Sequence, residues 1–321
     1  MENYRFLHQY RLRFGTGIPL SQNLSINSSF TVPVDLDKNI QDSKGRTNAY
    51  ELTTHQISFT IKKDNNKEPN SAEITIFNLD DNLVNYIKTN VENYLVIILE
   101  AGWVGEVKTV FKGTVAKIID KWERETRQTT LKCSDGAVNV KEALTSRTYP
   151  AGTSYNQIFN DLAKDLGTPV GRIEIDSSVP TTTTAVSFVG GTSNQLGNLA
   201  SGINHSYSIQ DGSIYVLPNN KRLTQQSAYL SDETGLKQGP EPLSQGEKKS
   251  KKNKTPANGI SLECQLDGAI IPDSTIYVKA RGYDGAFRVT KVTHKGSYEE
   301  SEWTTRVEAV PIDATISKQG A

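Results

Sequence analysis

Val115-Ala-Lys-Ile-Ile119, a polar stretch and Thr130-Leu-Lys-Cys133 form one segment; Val289-Thr-Lys-Val-Thr293, a polar stretch and Thr304-Thr-Arg-Val307 form another, and both read as the same β-hairpin. Laid over each other without a gap, Val115 meets Val289, Lys117 meets Lys291, Glu125 meets Glu299 and Thr130 meets Thr304, while Ile118/Val292, Lys132/Arg306 and Cys133/Val307 are conservative matches. Two readings are open at this point: an internal repeat, or the ordinary resemblance of any two β-rich hairpins.

Around these segments the chain is mostly strand. Tyr10-Arg-Leu-Arg-Phe14 alternates apolar and charged residues, and Ile57, Phe59 and Ile61 share one face of His55–Ile61, the period-2 pattern of half-buried strands. Ala72–Phe77, Tyr94–Glu100, Val110–Ile119 and Thr129–Cys133 add further strands, and Asp80 is placed to cap a short helix carrying Leu83, Val84 and Ile87. Closing these strands into a barrel would remove exposed sheet edges. Residues 1–135 are therefore expected to form a first antiparallel β-barrel domain.

Residues 136–216 change character. Ser154 can cap a helix with Tyr155, Ile158, Phe159, Leu162, Ala163 and Leu166 at helical spacing and Gly167 as its stop. A second helix from Ser193 carries Leu196, Leu199, Ala200 and Ile203, weakened at Gly197 and Gly202 by roughly 1 kcal/mol each. Thr181–Thr184 reads as a stiff polar connection, and Asp211-Gly212 suits the two-residue turn of a hairpin over Tyr207–Val216. This is a small mixed α+β domain. Residues 217–321 return to strand at Ile276–Ala280, Ala286–Thr293 and Trp303–Val310, giving a second barrel domain. It is interrupted at 241–258 by a lysine-rich insertion that reads as a solvated loop, and it ends in a frayed tail from Lys318.

Composition narrows the functional classes. The chain has 321 residues, 36 basic and 36 acidic, so no global field points to nucleic acid or an anionic membrane. No apolar run approaches the roughly 18–20 residues of a membrane-spanning helix, and Met1–Phe6 lacks the basic start and apolar core of a secretion signal. Cys133 and Cys264, far apart in sequence, are expected as buried free thiols of a protein made in a cytoplasm.

Catalytic constellations are scarce. There is no phosphate-binding glycine loop, no Gly-x-Ser-x-Gly elbow and no His-Glu-x-x-His pair. His8, His55, His205 and His294 are scattered, none at ligand-like spacing from a cysteine. Asp35-Leu-Asp37 mimics the start of a calcium loop but has Ile40 where glycine is needed and Arg46 where glutamate is needed. Asp80-Asp81 and Glu299-Glu300 read as capping and solvated carboxylates, and Asp135-Gly136 and Asp267-Gly268 as turns. The lysines at 248–254 could touch phosphates, yet no aromatic is interleaved with them for base stacking. The expectation is a protein without catalytic residues, cofactor or metal. Trp122 and Trp303, beside hairpin strands, either fill a barrel end or anchor a protein interface; with Tyr298 and Phe287 they are the interface candidates.

Asn70-Ser-Ala-Glu-Ile-Thr-Ile-Phe-Asn-Leu79 with its following helix, Gly113-Thr-Val, and the strand ending at Asp135-Gly136 resemble the N-terminal domain of baseplate hub proteins of contractile-tailed bacteriophages. Leu230-Ser-Asp-Glu-Thr-Gly-Leu236 with Gly239-Pro240, Leu266–Asp273, Gly285–Gly296 and Trp303-Thr-Thr are similar to that family's C-terminal barrel. The resemblance spans almost the whole chain and departs from the family at 241–258. It implies two tail-tube-like barrels in each chain, and a homotrimer whose six barrels form a pseudo-six-fold ring between the hexameric tail tube and the trimeric cell-puncturing spike. Partners would be the tube protein, the central spike protein and other baseplate proteins, with DNA only as passing cargo and no membrane insertion. The implied place is the virion baseplate, after assembly in the host bacterial cytoplasm. Two alternatives stand beside it: a hub of a phage-derived injection or secretion device, and a tail-tip cell-wall hydrolase centred on 136–216, against which that region offers only His205 with no cysteine, and Asp161, Asp165, Glu174 and Asp176 without a recognisable pairing.

Overall fold

The computed structural model describes residues 7–16, 38–41, 47–93, 95–219, 226–243, 259–298, 300 and 302–312. Met1–Phe6, the Asp35–Asp37 run, Glu299, most of the lysine-rich insertion and the tail from Lys318 lie outside the described residues. The chain opens with β1 (His8–Gly15), β2 (Lys38–Gln41), β3 (Thr47–Leu52), β4 (Ile57–Asp64) and β5 (Ser71–Phe77). Helix α1 (Asp81–Asn90), β6 (Val96–Trp103), the long β7 (Glu106–Glu123) and β8 (Thr126–Ser134) follow. A middle part comprises α2 (Ala137–Glu142), β9 (Leu144–Tyr149), α3 (Tyr155–Leu166), β10 (Val170–Ile173), β11 (Val186–Gly191), α4 (Thr192–Gly202), β12 (His205–Gln210) and β13 (Ser213–Pro218). The last part holds β14 (Gln226–Ser231), β15 (Leu236–Pro242), β16 (Ile260–Gln265), β17 (Thr275–Ala280), β18 (Tyr283–Ser297) and β19 (Trp303–Pro311).

Local chemistry accounts for the elements. The Asp80 carboxylate accepts from the N–H groups of Asn82 and Leu83, and the Ser154 hydroxyl from Gln157, so side chains satisfy two orphan donors of α1 and one of α3. Gly167 ends α3 in the left-handed conformation, φ 67°. Asp211 and Gly212 both take positive φ, 49° and 77°, between Gln210 and Ser213 of β12 and β13, the twist a two-residue hairpin needs.

The two strand-rich parts have the same topology. In the first, β4–β8 lie in the order β4-β5-β8-β7-β6; in the second, β15–β19 lie in the order β15-β16-β19-β18-β17, every neighbour antiparallel. The hairpin repeat extends to an irregularity: β7 bulges between Val115 and Lys117, β18 between Val289 and Lys291. The gapless alignment fails in one respect. Val115 pairs with Cys133 and Val289 with Ala309, so the return strand is displaced by two residues and Thr130 corresponds to Arg306, not Thr304. The cause is the tip: Glu123 pairs with Thr126 across two residues, whereas Ser297 N–H bonds Glu302 C=O across four. A shift of two preserves the face of every side chain, so the burial pattern survives.

Beyond the five strands the parts differ. β1 joins β6 antiparallel, whereas β14 joins β17 parallel, and α1 has no counterpart between β16 and β17. Closure of either part into a barrel is not detected: among the described residues, the strands of both parts belong to one fourteen-stranded sheet, and no pairing closes either part on itself. The joint is β18, whose residues 283–288 pair with β17 while 291–297, on the same edge, pair with β4. Consistent with that joint, Leu266 and Trp303 lie in the hydrophobic core of the first part, with Leu12, Phe59, Ile74 and Phe111. A second core, around Leu262, Ile276, Phe287 and Val307, belongs to the last part. The middle part has its own core, with Phe159, Leu162, Leu196 and Ile214 under α3 and α4. Its two ladders are β10-β13-β12 and β11-β9.

Candidate assembly interface

The β4–β18 seam packs through a size match. Gly296 faces Phe59, and a Cβ added at Gly296 would lie 2.4 Å from the Phe59 ring and 2.7 Å from Trp303. The missing side chain lets Phe59 and Trp303 meet edge to face, 5.3 Å between centroids, while Trp303 Nε1 donates to Gly102 C=O at 2.9 Å. Next along, His294 is wholly buried opposite Ile61, its Nδ1 2.9 Å from Thr305 Oγ1. Burial, with the charge of Lys63 adding to it, pushes this imidazole down to about 3. Burial thus holds it neutral. Further ties cross the junction: Lys108 Nζ donates to Asp267 Oδ1 at 2.9 Å and Trp103 Nε1 to Leu266 C=O at 3.2 Å.

The structure separates the four interface candidates. Trp303 and Phe287 have no exposed surface and are core residues; the fold consumes them because Gly296 and the β17–β18 ladder leave them room inside. Tyr298 packs half-buried against the first core, its ring 5.1 Å from Tyr10 and its N–H on Ile57 C=O. Trp122 is 66 % exposed at the end of β7. Across the strand pair from it is Arg127, whose guanidinium lies 5.8 Å over the indole. Arg127 is itself fixed by Asp120, at 2.9 and 3.0 Å, and by Asp81 at 2.6 Å; Lys88 adds a bond to Asp120 at 3.0 Å. The Arg127 bonds hold the Asp120 carboxyl well below the usual range, helped by Lys88. Trp122 is thus an exposed ring on a rigid, charge-tied support.

The middle part docks through the β12–β13 turn. Lys63, buried on β4, donates to both Asp211 oxygens at 2.7 Å, and Gly212 N–H donates to buried Asp135 at 2.7 Å. Asn70 Nδ2 bonds Ile209 C=O and Gln210 Oε1, and Gln210 Nε2 bonds Asp64 C=O at 2.7 Å. Burial raises the Asp135 carboxyl, and the Asp211 charge raises it further. Arg288 of β18, its guanidinium fixed by Asp273 at 2.6 Å, ties the same part to the last one by donating to Asn219 C=O.

Asp161, Asp165, Glu174 and Asp176 of the middle part each have a local partner. Asp165 accepts from Arg147 and Thr145, Glu174 pairs with Arg172, and Asp161 with Lys164. Asp176 caps Ser178, its own N–H donating to His205 Nε2 at 3.2 Å. Both cysteines are buried and unpaired, as expected from their spacing. Among the described residues no group of His, Cys, Asp and Glu is arranged to hold a metal ion, and no helix is long and apolar enough to cross a membrane.

Residues 46–248 match the model of a family described as baseplate hub gp41. No curated protein matches the sequence. Among solved structures, the 43 kDa tail protein of prophage MuSo2 from Shewanella oneidensis superposes with a TM-score of 0.58 at 10 % identity, covering 82 % of this chain and 94 % of that one. A tail protein from Neisseria meningitidis MC58 gives 0.57 at 11 % identity, with 94 % and 96 % covered. An Escherichia coli type VI secretion component, described as similar to T4 tail proteins gp27 and gp5, gives 0.54 at 11 %, with 80 % and 73 % covered. At these identities the likeness is one of fold.

Proposed function

The chain belongs to the baseplate hub gp41 family, structural proteins of the phage tail baseplate, and on that premise we propose that three copies close into a pseudo-six-fold ring. The ring seats the hexameric tail tube on one face and the trimeric spike on the other. Supporting this reading above all is the repeated five-strand order, which gives each chain two similar units and so lets three subunits present six positions. The middle part, pinned through Lys63 and Asp135, would hold the spike or neighbouring baseplate proteins outside the ring. Its role is mechanical: to adapt symmetry, to line a conduit through which DNA passes as cargo, and to transmit the spike's departure without a catalytic step. A balanced charge, 36 basic against 36 acidic residues, suits a wall that does not retain phosphate. Assembly is proposed to take place in the host cytoplasm before the baseplate is completed.

Light scattering of the purified full chain tests this directly. The expected mass is three times the 35.4 kDa chain, with a six-lobed ring in electron micrographs. A monomer at all concentrations, or an assembly not divisible by three, would overturn it.

A further inference from the structure

The seam inside the chain specifies a second one. By the repeat, β7 residues 117–123 correspond to β18 residues 291–297, which pair with β4; β4 in turn corresponds to β15. Among the described residues, β7 beyond Val115, whose N–H still bonds Leu95 C=O, is paired on its β8 side alone, and β15 on its β16 side alone. Each part therefore ends in the edge that the other part's internal joint would complete. We propose that β15 of one copy pairs antiparallel with β7 residues 119–123 of the next copy, repeating between chains the β4–β18 joint within a chain.

The register follows from the ladders. Leu131 opposite Ile74 corresponds to Val307 opposite Leu262, so Ile74 and Leu262 are equivalent. Opposite Ile74 stands Phe59; opposite Leu262 is the bulge at Gly239-Pro240, flanked by the Gln238/Glu263 and Glu241/Ser261 pairs. In the internal seam Gly296 faces Phe59 and Lys295 faces Thr60. In the second seam Trp122 faces Gly239-Pro240 and Lys121 faces Glu241. Large and small change sides: phenylalanine over glycine becomes glycine-proline under tryptophan. Opposite charges meet at Lys121 and Glu241, both exposed on the single chain. Gly239 and Pro240 are already buried on the single chain, so Trp122, held by Arg127 on one face of its ring, has the other face for the exposed Pro242, on the same side of β15.

The prolines set the direction of assembly. Leu243 N–H donates inward to Gly259 C=O at 2.8 Å, so Pro242 and Pro240 turn outward, where they offer carbonyls and no N–H. Two β15 edges would set acceptors against acceptors and cannot ladder together. A β7 edge can donate: Ile57 C=O in β4 accepts from Tyr298 N–H, and Asn65 N–H, just past the end of β4, donates to Thr290 C=O, so odd residues of β4 face the seam. Their register partners Gly296 and His294 correspond to Trp122 and Asp120. The N–H groups of Trp122 and Asp120 would thus reach the carbonyls of Pro240 and Pro242. The contact is head-to-tail, the kind that either closes into a ring or runs on as a filament.

This inference rests on the trimer reading, and the test separates the two. Lys121 and Glu241 fall at a non-hydrogen-bonded pair, where opposed Cα atoms lie about 4.5 Å apart and a disulfide can form. The full-length K121C/E241C variant, oxidised with diamide, is expected to give a covalent three-chain species on a non-reducing gel. Neither single variant should do so, because Cys133 and Cys264 are buried. Trp122→Ala, at an exposed position, is expected to weaken self-association roughly thirtyfold without changing the melting temperature of the fold. A wild-type trimer in which the pair does not cross-link and Trp122→Ala associates normally overturns the seam and leaves the trimer standing. A wild type that stays monomeric overturns the trimer. A cross-linked ladder running beyond three chains overturns closure of the ring.

Discussion

Gly296 shows how one absent side chain decides the fate of two aromatic rings. At the equivalent place on the first hairpin stands Trp122, and opposite Gly296 stands Trp303 where the first hairpin has Arg127. Read along the sequence, the two tryptophans look alike; which one is buried depends on the residue across the strand pair, information that no local pattern contains. Backbone strain is not what excludes a side chain at Gly296, since its φ is not positive. Gly296→Ala therefore tests packing alone: a Cβ 2.4 Å from Phe59 forces the ring to move, at an expected cost of about 1–3 kcal/mol in urea unfolding. Phe59→Leu in the same chain should return part of that loss. If Gly296→Ala is neutral, the Phe59–Gly296–Trp303 match is not what holds the seam.

At the scale of elements, the sequence spoke clearly wherever chemistry is local. Asp80 and Ser154 as caps, Gly167 as a stop, and Asp211-Gly212 as a turn each act within a few residues, and each stands where its side-chain chemistry directs. β15 was illegible because Gly239-Pro240-Glu241-Pro242 reads as a loop, and only the neighbouring β16 makes it a strand. β9 and β11 were missed because their ladder buries little beyond Tyr149 and Phe188. Most distant of all was the β4–β18 pairing, a register between strands more than two hundred residues apart in sequence. That seam carries its own titration. His294 is native only when neutral, its folded value being pushed down to about 3. As pH falls below about 6.5, the unfolded chain takes up a proton that the native state refuses. Stability is therefore lost with acid, by up to about 1.4 kcal/mol per pH unit over that window. His294→Leu should flatten this acid limb of a stability–pH curve while leaving the slope above pH 7 unchanged. An unchanged acid limb would place the titrating group elsewhere.

For the whole molecule, the division at 135 and 217 follows the chain's composition but not its cohesion. Compositional breaks mark where strand gives way to helix. They do not reveal that one sheet runs through both strand-rich parts, or that Trp303 and Leu266 complete the core of the part that ends near Ser134. If the seam is as tight as Phe59, His294 and Gly296 make it, the two parts cannot open separately without exposing Trp303 and a buried imidazole. Native-state hydrogen exchange should then give the amides of β4 and of β18 residues 291–297 the same opening free energy, close to the global one. The middle part is joined by side-chain bonds at one turn and by Arg288, so it can open at lower cost, and its β9–β11 amides should exchange first. Two resolved unfolding steps, with β4 protection lost in one and β18 in the other, would mean that the seam is a contact between independent domains. A single step for both would make the strand-rich parts one mechanical body.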